Sequence, residues 1–318
     1  MTALESPTTD TPVVGKRTRF HRRPSPETAS GLVSDLERQQ PGVRYALRTV
    51  QGLVLVALIV SGAGPLLWLV KSSISSSADI VTRPMSLLPT DGFQFSNITE
   101  AWTRAQVGRY LLNTAVMAMG SLLVTLIVCL TTAYVLSALR PKWGPVLDGA
   151  IMITLFVPGV IALVPLYLTV VDMPILHTSL LGNYLAIWLP AGANAFIILV
   201  VKRFFDALPR ELFEAARVDG AGSLQIFVSV VLPMSRPIIG VISLLSVIAS
   251  WKDFLWPMLV LNPEQQPISV GLANVAKNSP INVQVASLLL AVLVPVFLFL
   301  IFQRHFLNAA GLAGGVKG

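Results

Sequence analysis

Long stretches without charged side chains constrain this sequence more than any other feature. Five of them cover residues 49–70, 110–139, 149–171, 173–201 and 278–303. Each has at least 22 residues, and a helix of about 20 apolar residues crosses a bilayer. Only 12% of all residues are charged, about half the share typical of soluble domains. These stretches therefore exclude an ordinary soluble protein.

A sixth apolar stretch, 237–261, contains only two charges, Lys252 and Asp253. None of the stretches shows the alternation of polar and apolar residues that is typical of barrel strands. The sequence therefore predicts an all-α membrane protein with six transmembrane helices, at about 46–70, 110–137, 146–171, 182–204, 237–261 and 283–304. Prolines inside these spans predict kinks.

Basic residues are distributed unequally between the two sides of the predicted membrane. With the amino terminus inside, seventeen of the 23 lysines and arginines lie on the cytoplasmic side and five on the outer side. Cytoplasmic loops are enriched in basic residues, so both termini and the segment 203–236 are predicted to be cytoplasmic. The net charge of +7 is then a topology signal. Nucleic-acid binding is not indicated, because no stacking aromatic residues lie between the basic ones.

Four regions follow one another along the chain. Residues 1–44 are rich in Pro, Ser, Thr and Arg and are predicted to be a disordered basic cytoplasmic tail. Residues 45–108 hold the first helix, interpreted as an uncleaved anchor, and an external segment with a sequon at Asn97. Residues 109–304 form a core of five helices, and residues 305–318 form a cytoplasmic carboxy-terminal tail.

A polar segment at 206–233, between the fourth and fifth helices, is predicted to fold as a helix, a turn and a second helix. Pro209 suits a first helical turn, and the carboxylates of Glu211 and Glu214 suit the helix dipole there. Gly220 and Gly222 are expected to end the helix, because glycine tolerates positive φ.

The two helices of this segment have different expected features. Ser223 is expected to cap the second helix, which Pro233 interrupts. Leu212, Ala215 and Ala216 are predicted on one side of the first helix, where small side chains let another surface approach closely. The residues alone also fit an amphipathic connector that lies on the membrane.

The same segment resembles the EAA loop of one family, the carbohydrate-importer (maltose-type) branch of the ABC-transporter permeases. The loop's pattern is matched by Glu214, Ala215, Ala216, Gly220, Leu232 and Pro233. Val230 stands where the family has Ile. Further stretches that resemble the family are Tyr110–Thr114, Val157–Pro158, Val164–Tyr167, Trp251–Pro257 and Gly311–Gly318. The resemblance covers residues 45–318.

This resemblance implies a type I ABC-importer permease fold and a function. The chain would be a transport subunit of the cytoplasmic membrane that moves a sugar or oligosaccharide. Its implied partners are a second homologous permease, two ATP-binding subunits and an extracytoplasmic solute-binding protein. ATP would be bound by those partners, so this chain would need no cofactor. The residues implied to couple it to the ATPase are Glu214, Ala215, Ala216, Asp219, Gly220, Leu232 and Pro233.

A second candidate site consists of charges inside a span. Lys252 and Asp253, with Trp251, are candidates for the solute path or a gate, because charges in lipid are costly and usually face a cavity. Pairing with each other or with neighbouring chains is the alternative. Asn113 is a further candidate for the path, or else an interhelical hydrogen bond.

Enzymatic chemistry is not indicated by any motif. The chain has no Gly-x4-Gly-Lys-Ser/Thr phosphate loop, and His21, His177 and His305 are too scattered for a metal site. The lone Cys129 is expected to be a small buried residue. The alternatives to a sugar importer are an importer of another solute such as a polyamine or peptide, a secondary transporter without an ATPase, and a membrane enzyme or scaffold.

Overall fold

The computed structural model describes residues 41–175 and 177–314, and side chains as far as residue 301. Residues 1–40 of the predicted tail and 315–318 lie outside this part. Residues 41–44, which the sequence assigned to the tail, are helical and belong to the first helix, α1 (Pro41–Ser73). By compactness the chain divides between Ala63 and Gly64. In the first unit, the side chains of residues 48–62 are exposed.

The other regular elements of the described chain are also helices, and the described residues contain no strand. Its helices are α2 Ser77–Thr82, α3 Ser96–Thr103, α4 Val107–Tyr134, α5 Gly144–Thr154, α6 Gly159–Val171, α7 Leu185–Gly192, α8 Ala195–Asp206, α9 Arg210–Val218, α10 Ser223–Met234, α11 Arg236–Lys252, α12 Leu255–Val260, α13 Ile268–Asn278 and α14 Ile281–Gly314. A π-helical turn, Val135–Leu139, extends α4.

Three helices are long and apolar enough to cross a membrane alone, namely α1, α4 with its π turn, and α14 up to Ile301. Three pairs qualify together but are bent: α5 with α6 by 111°, α7 with α8 by 42°, and α10 with α11 by 80°. Six spans result when each bent pair counts as one. The predicted all-α class is confirmed. The bends of 111° and 42° lie in the two spans that contain Pro158 and Pro190, where prolines predicted kinks.

The predicted fifth helix, 237–261, is broken at Asp253. Asp253 has ψ of 120°, and α12 begins at Leu255. The reason lies four residues further on, because Pro257 has no N–H to donate to the Asp253 carbonyl. That carbonyl accepts instead from the Ser269 hydroxyl, at 2.6 Å. At the other end of the core, α14 runs to Gly314, so helix extends ten residues past the predicted end at 304.

A row of small side chains on α4 lets α7 approach closely. Trp188 donates its indole N–H to the carbonyl of Met117 at 3.2 Å, and a β-carbon on Gly120 would collide with that indole. One and two turns further along, Thr125 donates to the Ala191 carbonyl at 3.1 Å, and the Cys129 thiol lies 3.4 Å from the Gly192 carbonyl. Small residues support close helix packing in membranes. Cys129 is fully buried, as expected.

The segment after α1 is folded rather than an open loop. Lys71 forms a buried ion pair with Asp79 at 3.1 Å. The Thr90 hydroxyl donates to the Asp79 carboxylate at 2.7 Å, and this bond, with Lys71, lowers the pKa of Asp79 to about 2. Asn97 is buried, and its amide donates to the carbonyls of Ser73 and Ser75. The sequon is therefore part of the core of this segment and not a surface acceptor.

Candidate functional site

The polar segment at 206–233 folds as a helix, a turn and a second helix. The helix α9 begins at Arg210, directly after Pro209, and carries Glu211 in its first turn. Gly220 has φ of +81°, the left-handed conformation that glycine adopts without a steric cost. The N–H of Gly220 donates to the Arg217 carbonyl, and the next N–H donates to the Ala216 carbonyl at 2.9 Å. The predicted turn at Gly220 is present.

Three local expectations for this segment are wrong. Gly222 has φ of −71°, and it is this residue, not Ser223, that stands at the N-cap position of α10. Pro233 does not interrupt α10, which continues to Met234. A π-helical turn at Phe227–Val231 precedes the proline, and the 80° bend follows it, before Arg236.

The first helix of this segment, α9, has one face that is exposed. Phe213 is buried in the core, with Ala216 packed beside it. Ala215 is exposed, and so are Leu212 and Val218, the latter 87% exposed. Leu212, Ala215 and Ala216 share one side of this helix, as their spacing predicts, and Ala216 lies at the edge of that side that packs against the core. Among the other residues implied in coupling, Glu214, Asp219, Gly220 and Pro233 are exposed, and Leu232 packs against the core.

The second helix, α10, is fixed to the end of α4. The Tyr134 hydroxyl donates to the Ser223 carbonyl at 2.8 Å. The rings of Tyr134 and Phe227 lie 4.8 Å apart between centroids. Since an aromatic ring and a hydrogen bond act on the same short element, the turn and α9 are held against the membrane helices.

A group of charges lies at the base of this segment, at the last residue of α8. The Asp206 carboxylate accepts from the Ser137 hydroxyl at 2.7 Å and pairs with Lys202 at 3.3 Å and Arg140 at 3.8 Å. Lys202 also pairs with Asp148, at 3.4 Å. We call these five residues the base cluster. It borders a cavity of about 350 Å³ and joins α4, α5 and α8.

Sequence reasoning missed the base cluster. Arg140, Asp148 and Lys202 appeared only as the charges that end three apolar stretches. Their positions at the ends of consecutive helices were a usable signal, because such ends meet at the same side of a bundle. Nothing in the spacing, however, identifies which acid pairs with which base.

A larger cavity, of about 710 Å³, lies among α4, α7, α8 and α11. Lys252 and Asp253, the two charged residues of the predicted fifth helix, line this cavity. They lie where α11 ends, so Lys252 complements the helix dipole. Neither side chain has an ion-pair partner within 4.0 Å among the described residues. The rest of the lining includes Ser121, Thr125, Asn194, Ser246, Ser250 and Trp256.

The other candidates for the solute path lie elsewhere. Trp251 packs against a separate core with Ile268 and Val283. Asn113 donates to the carbonyls of Glu264 and Gln266 at 2.9 and 3.0 Å. A hydrogen-bonding role was the alternative to a place on the solute path for this residue. Trp256, which sequence reasoning did not single out, reaches the cavity and donates to the Ala186 carbonyl at 3.0 Å. The structure therefore brings together Lys252 and Asp253 but not Trp251 or Asn113.

Apolar helices that surround a cavity with some polar groups on its wall, together with an exposed two-helix segment, are the features expected of a membrane permease. Residues 131–309 match the family model described as binding-protein-dependent transport system inner membrane component. The chain belongs to this family. The resemblance to ABC-importer permeases and the type I fold are thereby confirmed.

Curated relatives match along most of their length. The diacetylchitobiose uptake system permease protein NgcG of Streptomyces coelicolor is 29% identical, over 85% of this chain and 87% of that protein. The melibiose/raffinose/stachyose import permease protein MelC of Bacillus subtilis is 30% identical, over 85% and 98%. The sn-glycerol-3-phosphate transport system permease protein UgpE of Agrobacterium fabrum is 29% identical, over 83% and 96%.

A solved structure has the same fold. It belongs to a bacterial ABC transporter involved in the import of the acidic polysaccharide alginate. The match has a TM-score of 0.71 and 25% identity, and it covers 84% of this chain and 98% of that one. Family membership makes the chain a transport component rather than an enzyme, and it removes the alternatives of a secondary transporter and a scaffold.

Proposed function

We propose that this chain is one of two permease subunits that form the pathway of an ATP-driven sugar or oligosaccharide importer. A second homologous permease, two ATP-binding subunits and an extracytoplasmic solute-binding protein complete the complex, and ATP is bound by the ATPase pair. The sugar specificity is supported by the relatives for diacetylchitobiose and for melibiose, raffinose and stachyose.

The helix α9 is proposed to be the point at which the ATPase acts on the chain. The observation that carries this proposal is that the exposed face of Ala215 and Val218 is bare, whereas Phe213 fixes the opposite face in the core. A short helix held on one side transmits a push from the other, and a loose loop would absorb it. Glu214, Asp219 and Gly220 border the same exposed surface.

Ala215→Trp tests this assignment. The bulky ring points to solvent, so the subunit still folds and inserts, but the ATPase no longer seats. We expect ATP-dependent uptake in proteoliposomes to fall by about tenfold or more, as for the loss of an interface contact of about 1.4 kcal/mol. The ATPase is also expected to co-purify poorly with this variant.

Ala276→Trp is the matched control, because Ala276 is also an exposed helical alanine, on α13. Equal uptake by the two variants, with the ATPase retained in both, would contradict the role of α9. Accessibility of single cysteines at Glu214 and Lys277 to a membrane-impermeant reagent tests the orientation. We expect labelling of position 277 from outside and of position 214 only after permeabilisation.

The cavity of about 710 Å³ is proposed as the solute path. Hydroxyl and amide groups on its wall, together with Trp256, suit a ligand rich in hydroxyls, and a small number of placed polar groups is typical of such sites. Identification by mass spectrometry of the ligand that co-purifies with the solute-binding protein tests the substrate class.

A phosphorylated polyol is a second candidate solute. Lys252 lines the cavity beside Asp253 and has no ion-pair partner among the described residues, and an unpaired ammonium group suits a phosphate. A relative named for sn-glycerol-3-phosphate transport supports the same solute. Competition between this compound and an uncharged oligosaccharide for uptake distinguishes the two.

A further inference from the structure

The turn that follows α2 is tied to the outer end of α1 at two points. Trp68 donates its indole N–H to the Pro84 carbonyl at 2.9 Å. One turn further along α1, the Lys71 ammonium donates to the Arg83 carbonyl at 3.4 Å. The chain after Thr82 therefore folds back along the last two turns of α1 and does not extend away from it.

The far end of the same turn is also fixed. The Thr90 hydroxyl bonds to the Asp79 carboxylate at 2.7 Å, and the Arg83 guanidinium donates to that hydroxyl at 2.6 Å. Ser86 closes the turn through its N–H and its hydroxyl, both of which donate to the Arg83 carbonyl. Residues 84–89 thus form a short loop, held at both ends, which we call the return loop.

The return loop presents apolar side chains with nothing packed against them. Met85 is 89% exposed, Leu87 92% and Leu88 67%. Three large apolar side chains within four residues are exposed here, on a backbone that hydrogen bonds hold in place. Exposure of this apolar surface to water would be unfavourable in free energy. An exposed apolar patch of this kind marks a surface that contacts a partner or a membrane.

The depth of the return loop identifies its environment. The charge-free stretch of α1 ends at Val70, so Trp68 lies about 3 Å inside that end at a rise of about 1.5 Å per residue. Tryptophan is enriched at the level of the lipid headgroups. Since Pro84 is bonded to Trp68, the return loop lies at the boundary of the bilayer rather than beyond it.

We propose that the return loop inserts Met85, Leu87 and Leu88 into the lipid leaflet at this end of the first span. Apolar side chains anchor a segment in an interface by burying area at the headgroup–acyl boundary. The loop then holds the outer end of α1 at a fixed depth. This inference rests on membrane residence alone and is independent of the coupling role of α9.

Depth-dependent quenching in the reconstituted complex tests the proposal. In a Cys129→Ala background, Leu87→Cys and the control Lys277→Cys carry an environment-sensitive fluorophore. The complex is placed in vesicles of phosphatidylethanolamine and phosphatidylglycerol that contain a spin-labelled lipid. We expect the lipid to quench the label at 87 but not at 277. Iodide should quench the label at 87 about fivefold less, because an anion is excluded from the apolar layer.

Two results would overturn the inference. Equal iodide quenching at both positions, without quenching by the spin-labelled lipid, would place the return loop in water. Protection of position 87 from iodide only after the solute-binding protein is added would make the loop a docking surface for that protein. Neither result would bear on uptake by the Ala215→Trp variant, so the two proposals fail separately.

Discussion

Two groups of charges lie among the apolar helices, and they are partnered differently. In the base cluster, two acids and two bases neutralise one another and the Ser137 hydroxyl completes the arrangement. At the helix break, Lys252 and Asp253 line a cavity with no ion pair among the described residues. Paired charges connect neighbouring helices, whereas charges that face a cavity remain available to a solute.

The base cluster lies directly before the segment proposed to receive force. Asp206 ends α8, and Arg210 begins α9 four residues later. These contacts connect the end of α8, just before α9, to α4 through Ser137 and Arg140 and to α5 through Lys202 and Asp148. The cavity charges lie at the end of another helix, α11, which stops at Lys252. The comparison predicts that substitutions in the first group change stability and those in the second change transport.

Lys202→Met should have the largest effect on stability. It leaves the carboxylates of Asp148 and Asp206 without their shared cation, and these side chains are only about one-third exposed. Loss of one partner from a buried pair costs 3–5 kcal/mol, and partial exposure reduces this to about 2 kcal/mol. Thermal unfolding of the purified complex measures the loss. Lys142→Met, at an exposed lysine, is the control. An equal shift of the thermal midpoint in both variants would show that the base cluster does not stabilise the fold.

Lys252→Gln should leave the thermal midpoint unchanged and alter transport. A charge-assisted hydrogen bond to an anionic solute contributes about 1.5 kcal/mol, so uptake of a phosphorylated solute should weaken by about tenfold. Uptake of an uncharged oligosaccharide should change by less than about twofold. Concentration-dependent uptake in proteoliposomes measures both. A large fall in the thermal midpoint would show instead that Lys252 is a structural residue.

A third charged group, the pair of Lys71 and Asp79, is expected to stabilise its segment in a way that depends on pH. The pKa of Asp79 is lowered from 3.8 to about 2. A lowered acid pKa stabilises the fold above the unfolded pKa, and this contribution is lost as the pH falls from about 4 toward 2. Hydrogen exchange of residues 79–91, corrected for intrinsic rates, should increase over this range. Asp79→Asn should remove the pH dependence, and Asp91→Asn should retain it.

Sequence reasoning recovered those features that depend on neighbouring residues. The length of each charge-free stretch predicted a span. Gly220 predicted a left-handed turn, because such a turn depends only on the φ angle of that one residue. It also singled out Lys252 and Asp253, since two charges in an apolar stretch are costly wherever they lie. The break at Asp253 was predictable too, because Pro257 stands four residues later and removes the hydrogen bond.

Features that depend on packing between distant residues were not predictable. Ser137 and Asp206 are 69 residues apart, and no local pattern indicates their hydrogen bond. The location of Trp251 outside the cavity depends on how α11 is rotated against α13 and α14. For α9, periodicity identified an amphipathic helix, but it did not show that Phe213 would fix the helix in the core and bring Ala216 to the edge of that contact.

The close seam between α4 and α7 has a mechanical consequence. A ring wedged over Gly120 and the contacts at Thr125 and Cys129 leave these two helices no room to slide past one another. Movement during a transport cycle is therefore expected outside this seam, and the bends of 42° to 111° between paired helices are where we expect it. We expect the contact between α4 and α7 to stay rigid through the cycle and the bends between paired helices to change their angles.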